Sequence, residues 1–299
     1  MMAPEYYVFT DSVGEVIPDH VTHVLISEAL KFVPMKAFYQ HPNIQEVICH
    51  DGVEKIEKWA FWGCPSLRRV TMPGVKEVER SAFDYCTSLT YVECGKLEII
   101  GECAFCWCNS LSSINLPSVK IVEMRAFSCC PNLTNVEFGK DLESIGCWRT
   151  FFGCRSLECI TLPLKDGMIS EENVFQGCVR LRHINLVGGV HETVAALLMD
   201  EWKHDTNKEI YAINKILDGQ IGREYLRGDV HDHAFGEKAQ KIREWIRSVL
   251  HKYIYYKAEH RRYVNEAAAT LKLTLPHDIV LKNILPFVEL PSDTSEGED

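Results

Sequence analysis

The sequence predicts an α/β repeat fold, a parallel-stranded solenoid followed by an α-helical hairpin. Two observations predict the solenoid and a third predicts the hairpin. The motif Ala-Phe-x-x-Cys-x-x-Leu recurs through the first two-thirds of the chain, as SAFDYCTSL at 81–89 and RAFSCCPNL at 125–133. Each copy is followed by a pair of apolar residues two apart. After residue 187 the repeat stops and the apolar spacing becomes helical.

The register is set by one phenylalanine per unit: Phe38, Phe61, Phe83, Phe105, Phe127, Phe151 and Phe175, at steps of 22 to 24 residues. Three places on stands Cys64, Cys86, Cys108, Cys130, Cys154 or Cys178, with His41 in the first unit. Six places on come Ile44, Leu67, Leu89, Leu111, Leu133, Leu157 and Leu181. Nine on come Val47, Val70, Val92, Ile114, Val136, Ile160 and Ile184, and eleven on Cys49, Met72, Cys94, Leu116, Phe138, Leu162 and Leu186. Five places before the anchor a β-branched residue recurs: Val33, Ile56, Val78, Ile100 and Val122.

These columns have a physical reading. Ala-Phe-x-x-Cys-x-x-Leu has near-helical apolar spacing, which predicts a short helical turn with one buried face. The period-two pair predicts a short strand with one face inward. A single unit cannot bury its own apolar face, so stacked units must share a core. The cysteine column then reads as packing, since cysteine is small and often buried. Pro73, Pro117, Pro163, Gly95 and Gly139 end strands by turn chemistry.

Residues 100–117, IGECAFCWCNSLSSINLP, resemble the BspA-type leucine-rich repeat, and the likeness extends over about residues 15–187. The resemblance implies a leucine-rich-repeat solenoid with a parallel β-sheet and a surface used for binding. The ends depart from the pattern. Val21, Val24 and Ile26 fit the strand columns of a unit without its turn half, so residues 1–26 read as an N-terminal cap. The solenoid proper spans 27–187. In the unit anchored on Phe151 one extra residue is present and Thr150 replaces the alanine; Val174 does so in the last unit. A small bulge is the expected accommodation.

Gly188-Gly189 marks the boundary. Residues 188–275 predict a coiled-coil-like helical hairpin. Its first arm carries Val194, Leu198, Trp202, Ile210, Ile213 and Leu217. Its second carries Ile242, Ile246, Val249, Tyr253, Tyr256, His260, Tyr263, Ala267 and Leu271. The hairpin can cap the open end of the solenoid or join two copies as a homodimer, and the spacing fits both. The segment resembles the helical tail attached to many BspA-type proteins of diatoms. Residues 276–299 predict a short helix and an acidic tail; 275–291 resemble in part the opening of an F-box.

Composition bounds the function. Hydrophobic residues make up 46 %, enough for a large core. The net charge of −10 argues against nucleic acid and anionic membrane surfaces as partners. No run of about eighteen apolar residues is present to span a membrane. The first residues show neither a basic start nor a secretory apolar core. The 13 cysteines are therefore expected to stay reduced, in a cytoplasmic setting, with a nuclear one as the alternative.

Candidate chemistry is sparse. Cys103, Cys106 and Cys108 include a C-x-x-C, but Cys108 belongs to the packing column and Cys106 is expected to face away from it, so neither a metal site nor a redox site is expected. His231 and His233 share a loop without a third ligand, Arg227-Gly-Asp229 is only a tripeptide, and Asn132-Leu-Thr134 centres on a core leucine. The basic stretch 238–262 places its charges on both flanks of an apolar seam, as a solvated helix does. No phosphate-binding, dinucleotide or hydrolase motif occurs. The expectation is a non-enzymatic scaffold without cofactor or metal that binds a protein partner. The alternative is an adaptor of the ubiquitin-ligase kind, with repeats for a client and C-terminal helices for other machinery.

The strand columns eight and ten places after each phenylalanine must point outward. They supply the expected contact residues: Arg69, Tyr91, Glu93, Asn115, Asn135, Glu137 and His183. Tyrosine and arginine are the types enriched at binding hot spots.

Overall fold

The computed structural model describes residues 6–187 except 14, 147, 170 and 171, together with 208, 210–217, 238–252, 254, 255, 262 and 266. Among these the chain forms fifteen short strands, β1–β15 in chain order, arranged as a parallel solenoid. The primary strands are β1 (Tyr7–Phe9), β2 (His23–Ile26), β4 (Glu46–Ile48), β6 (Arg69–Thr71), β8 (Tyr91–Glu93), β10 (Ser113–Leu116), β12 (Asn135–Phe138), β14 (Cys159–Leu162) and β15 (His183–Leu186). They hold the columns eight to eleven places after each phenylalanine. Successive members pair in parallel, with one division between β8 and β10.

A second, unbroken sheet runs through β3 (Phe32–Val33), β5 (Lys55–Ile56), β7 (Glu77–Val78), β9 (Ile99–Ile100), β11 (Ile121–Val122) and β13 (Ser144–Ile145). Its buried members are the β-branched column, which extends to Ile145. Just before each strand a lysine or glutamate alternates from unit to unit: Lys31, Glu54, Lys76, Glu98, Lys120 and Glu143. Lys76 lies 3.7 Å from Glu54, and Lys120 lies 2.8 Å from Glu98. Exposed pairs of this kind add little stability, but a shift by one unit would oppose like charges, so they favour the observed register.

The expected helical turn is not formed in most units. The arc around each phenylalanine is a run of tight turns, and only Glu172–Phe175 forms a 3₁₀ turn. The reason lies in the backbone. Two places before the phenylalanine, Lys36, Trp59, Ser81, Cys103, Arg125 and Arg149 all have φ between 53° and 61°. Two places after it, Gln40, Tyr85, Trp107 and Cys129 do the same, and Gly63, Gly153 and Gly177 adopt φ of 70° to 80°. The two left-handed residues that bracket each phenylalanine turn three N–H groups, at the phenylalanine and two places to either side, toward the next unit. Lys36, Phe38 and Gln40 donate to the carbonyls of Lys58, Ala60 and Trp62 at 3.2, 2.8 and 2.7 Å. Ser81, Phe83 and Tyr85 donate likewise to Glu102, Ala104 and Cys106. A helix would spend these donors within the unit.

The core is a set of ladders. The seven rings from Phe38 to Phe175 stack with centroids 4.8 to 5.6 Å apart and planes within 9°. At one end Phe9 closes the stack, 4.8 Å from Phe38. The cysteine column does more than fill space. Each thiol donates to the carbonyl of the preceding unit's phenylalanine: Cys64 to Phe38, Cys86 to Phe61, Cys108 to Phe83, Cys130 to Phe105, Cys154 to Phe127 and Cys178 to Phe151, at 3.0 to 3.3 Å. Burial pushes the Cys64 thiol up to about 12, which keeps it protonated as the donor. Close approach also fixes Gly139, where a Cβ would overlap the Pro117 carbonyl. The irregular unit uses its extra polar group: Thr150 Oγ1 donates to Gly146 O at 2.8 Å.

Two helical segments follow, α1 (210–217) and α2 (238–252). Ile213 and Leu217 of α1, and Ala239, Ile242, Trp245, Ile246 and Val249 of α2, are buried in the same core as the repeats. Asn214 Oδ1 accepts from the Ile184 amide at 3.0 Å, the Lys238 ammonium donates to Cys178 O at 2.8 Å, and Arg247 Nε lies 3.0 Å from Asp166. The start of the apolar seam is thus spent on the last unit. Val194, Leu198, Trp202, the Gly188-Gly189 boundary and the seam residues Tyr253, Tyr256, His260, Tyr263, Ala267 and Leu271 lie outside the described residues. So do Arg227–Asp229, His231, His233, the segment 275–291 and the acidic tail.

Phe105 lies mid-stack and is fully buried. Phe105→Ala is expected to cost about 3–5 kcal/mol in denaturant unfolding, against about 0.5 kcal/mol or less for the exposed Asn115→Ala. Cys130→Ala, which removes a thiol donor and leaves a small void, is expected to fall between them at about 1–2 kcal/mol.

Candidate functional site

The outward strand columns form two rows whose register follows from the parallel pairing. One row carries His23, Glu46, Arg69 and Tyr91, then Ser113, Asn135, Cys159 and His183. The other includes Ile48, Thr71 and Glu93, then Asn115, Glu137, Thr161 and Asn185. Arg69, Tyr91, Glu93, Asn115, Glu137 and His183 are exposed, and Asn135 is half-buried.

Several of these side chains are ordered by their neighbours. The Arg69 guanidinium lies 4.5 Å from the centroid of the Tyr91 ring, and its Nε is 3.6 Å from Glu46 Oε1. Tyr6 donates its hydroxyl to Glu46 at 2.9 Å and so extends this group by one unit. Asn135 Nδ2 donates to Glu137 Oε1 at 2.8 Å. His183 and Asn115 stand in the rows, but no hydrogen bond of their side chains contributes to either group. The division between β8 and β10 runs between Tyr91 and Glu93 on one side and Ser113 and Asn115 on the other. Val92, behind Tyr91, is only partly buried there.

A second surface lies over the turns, and sequence reasoning missed it. Tyr39, Trp62, Tyr85 and Trp107 form a row of rings at centroid distances of 4.9, 5.6 and 5.8 Å. Tyr39, Tyr85 and Trp107 are each more than 40 % exposed, enough to meet a partner. The signal was present, since an aromatic follows the phenylalanine by one or two places in four consecutive units. Beside the row lie Cys103, Cys106 and Cys129. Cys103 and Cys106 do approach one another across a tight turn, whereas Cys108 stays in the core ladder. Among the described residues no group of three ligands fits a metal ion, and no helix is long and apolar enough to cross a membrane.

Asp84 lies buried beneath this row. Burial raises its carboxyl to about 6 from an ordinary 3.8, against the opposing hydrogen bond from the Trp62 indole. The folded state therefore holds this proton more tightly than the unfolded chain. The resulting stabilisation is complete below about pH 3.8 and is lost as pH rises through about 6. Comparing Asp84→Asn with the parent from pH 4 to 7, unfolding experiments should show the parent losing on the order of 2 kcal/mol relative to the variant.

Comparison with known proteins places the repeat. No curated protein matches the chain. Among solved structures, the leucine-rich repeat protein of T. pallidum is 27 % identical, with 65 % of this chain and 84 % of that one covered at a TM-score of 0.45. A leucine-rich repeat protein from Bacteroides ovatus is 24 % identical, with 56 % of this chain and 48 % of that one covered at a TM-score of 0.40. The sequence profile described as the BspA type Leucine rich repeat region matches six copies across residues 19–96 and 76–194, more than half of the chain. The chain belongs to the BspA-type leucine-rich repeat family.

Proposed function

We propose that this protein is a non-enzymatic scaffold that binds a protein partner on the outward strand rows around Arg69 and Tyr91. Leucine-rich repeats of this kind generally serve as interaction scaffolds. The observation that carries the assignment to this face is the exposed, pre-stacked Arg69–Tyr91 pair. An arginine held flat on a tyrosine loses less side-chain freedom when it meets a partner, so more of its contact energy is retained. Glu93, Asn115, Asn135, Glu137 and His183 extend the surface with both charges and with neutral donors and acceptors. A solenoid offers this face already assembled.

Affinity capture from a lysate of the source cells, read by mass spectrometry, tests the assignment. Arg69→Glu combined with Tyr91→Ala should leave the melting curve nearly unchanged and weaken capture of the same partner at least about tenfold, or about 1.4 kcal/mol. A chain ending at residue 257 keeps α2 on the last unit and should capture that partner normally. If the double variant captures normally and the shortened chain does not, binding resides beyond α2 and the adaptor reading takes its place.

A further inference from the structure

Cys103 and Cys106 stand at the two ends of one tight turn. The Cys106 amide donates to Cys103 O at 3.1 Å, and Ala104 and Phe105 between them are fully buried. Such a turn holds its first and fourth Cα atoms within about 7 Å. A disulfide spans about 4.4–6.8 Å between Cα atoms, so the turn holds the pair in the range that such a bond requires. Bonds from Cys103, Phe105 and Trp107 to Met124, Ala126 and Ser128 of the next unit tie the turn in place. No other unit carries cysteine at both of these positions: Lys36/Tyr39, Trp59/Trp62, Ser81/Asp84, Arg125/Ser128, Arg149/Phe152 and Asn173/Gln176 occupy them elsewhere.

The two thiols also differ from those of the core ladder. Cys103 is partly exposed at the surface, while Cys106 lies just beneath it. The closeness of the two thiols lowers that of Cys103 and raises that of Cys106, and burial raises Cys106 further. Arg125 adds to the lowering of Cys103, and the Asp84 and Glu102 carboxylates oppose it. The accessible member of the pair is thus the better nucleophile, and the sheltered one is poised to displace what it binds.

We propose that Cys103 and Cys106 form a reversible dithiol–disulfide switch on the turn face, oxidised by exchange with a low-molecular-weight disulfide, RSSR. The Cys103 thiol gives up its proton to solvent, and its thiolate attacks one sulfur of RSSR. This forms a Cys103–S–SR bond and expels RS⁻, which takes a proton to become RSH. Cys106 then loses its proton and attacks the Cys103 sulfur, closing Cys103–S–S–Cys106 and releasing the second RSH. The two protein thiols are oxidised and RSSR is reduced to two RSH. Excess RSH reverses both steps.

Full-length protein is equilibrated in glutathione buffers of increasing oxidised fraction, quenched in acid, unfolded and alkylated. The tryptic peptide 97–120 holds Cys103, Cys106 and Cys108, whereas Cys129 and Cys130 fall in 126–140. Oxidising buffer should cost peptide 97–120 two alkyl groups and leave the peptides bearing Cys64, Cys86 and Cys130 fully labelled. Chymotryptic cleavage after Phe105 and Trp107 should place the bond between Cys103 and Cys106. Dithiothreitol should restore full labelling. Cys106→Ser should instead retain glutathione on Cys103, and Cys103→Ser should label fully. Complete labelling of the parent in every buffer, or a bond from this peptide to Cys129 or Cys108, would overturn the proposal without reference to either variant. The readout needs no binding partner, so it stands or falls apart from the assignment of the strand face.

Discussion

The structure depends on where three amides per unit point. At the phenylalanine and two places to either side, the N–H leaves its own unit and bonds the next. Outside a strand, this arc achieves it with left-handed residues two places before and two places after each phenylalanine. Each non-glycine left-handed residue costs on the order of 1 kcal/mol. Sequence-local structure cannot recover that cost, because the bonds exist only when a neighbour is stacked. The phenylalanine rings, nearly parallel and about 5 Å apart, are buried by the same stacking. Backbone pairing and core burial therefore arise together, and neither belongs to a single unit.

A ladder of this kind has two open ends, and each is closed by different chemistry. At the first, the aromatic ring of Phe9 lies on Phe38, and β1 extends the primary sheet by one strand. At the last, carbonyls and apolar side chains of the Phe175 unit would otherwise meet water. Lys238 satisfies Cys178 O, Asn214 accepts from the Ile184 amide, and Ile242, Trp245 and Ile246 cover the apolar end. The charged groups sit where backbone groups need partners, which is why a lysine is buried there.

Much of this was legible in the sequence. The apolar columns, the parallel strands and the outward rows follow from spacing alone, because a strand alternates its faces and a stacked column must be apolar. The turn arc was misread as helical, since Ala-Phe-x-x-Cys-x-x-Leu spacing is shared by a helix and by this arc of tight turns. Glycine at Gly63, Gly153 and Gly177 was the available correction, because it marks a position that favours positive φ. It was masked by Gln40, Tyr85, Trp107 and Cys129 in the same column. The lysine–glutamate alternation was readable as well, but exposed charges rarely reveal their partners until the register is known. Cys106 lies outside the core ladder of Cys108, as expected, but the columns alone do not reveal that the tight turn sets it beside Cys103.

The two faces of the solenoid differ in chemistry. Ordered polar groups line the strand rows, while the turn side holds aromatic rings, a buried carboxyl and the paired thiols. Both depend on the inter-unit backbone bonds, and native-state hydrogen exchange tests those most directly. The amides of Phe61, Phe83, Phe105 and Phe127 should exchange as slowly as those of Val70 and Ile114 in the strands, with protection greatest in the central units. Exchange of these phenylalanine amides at the rate of exposed turn residues, beside protected strands, would contradict the account.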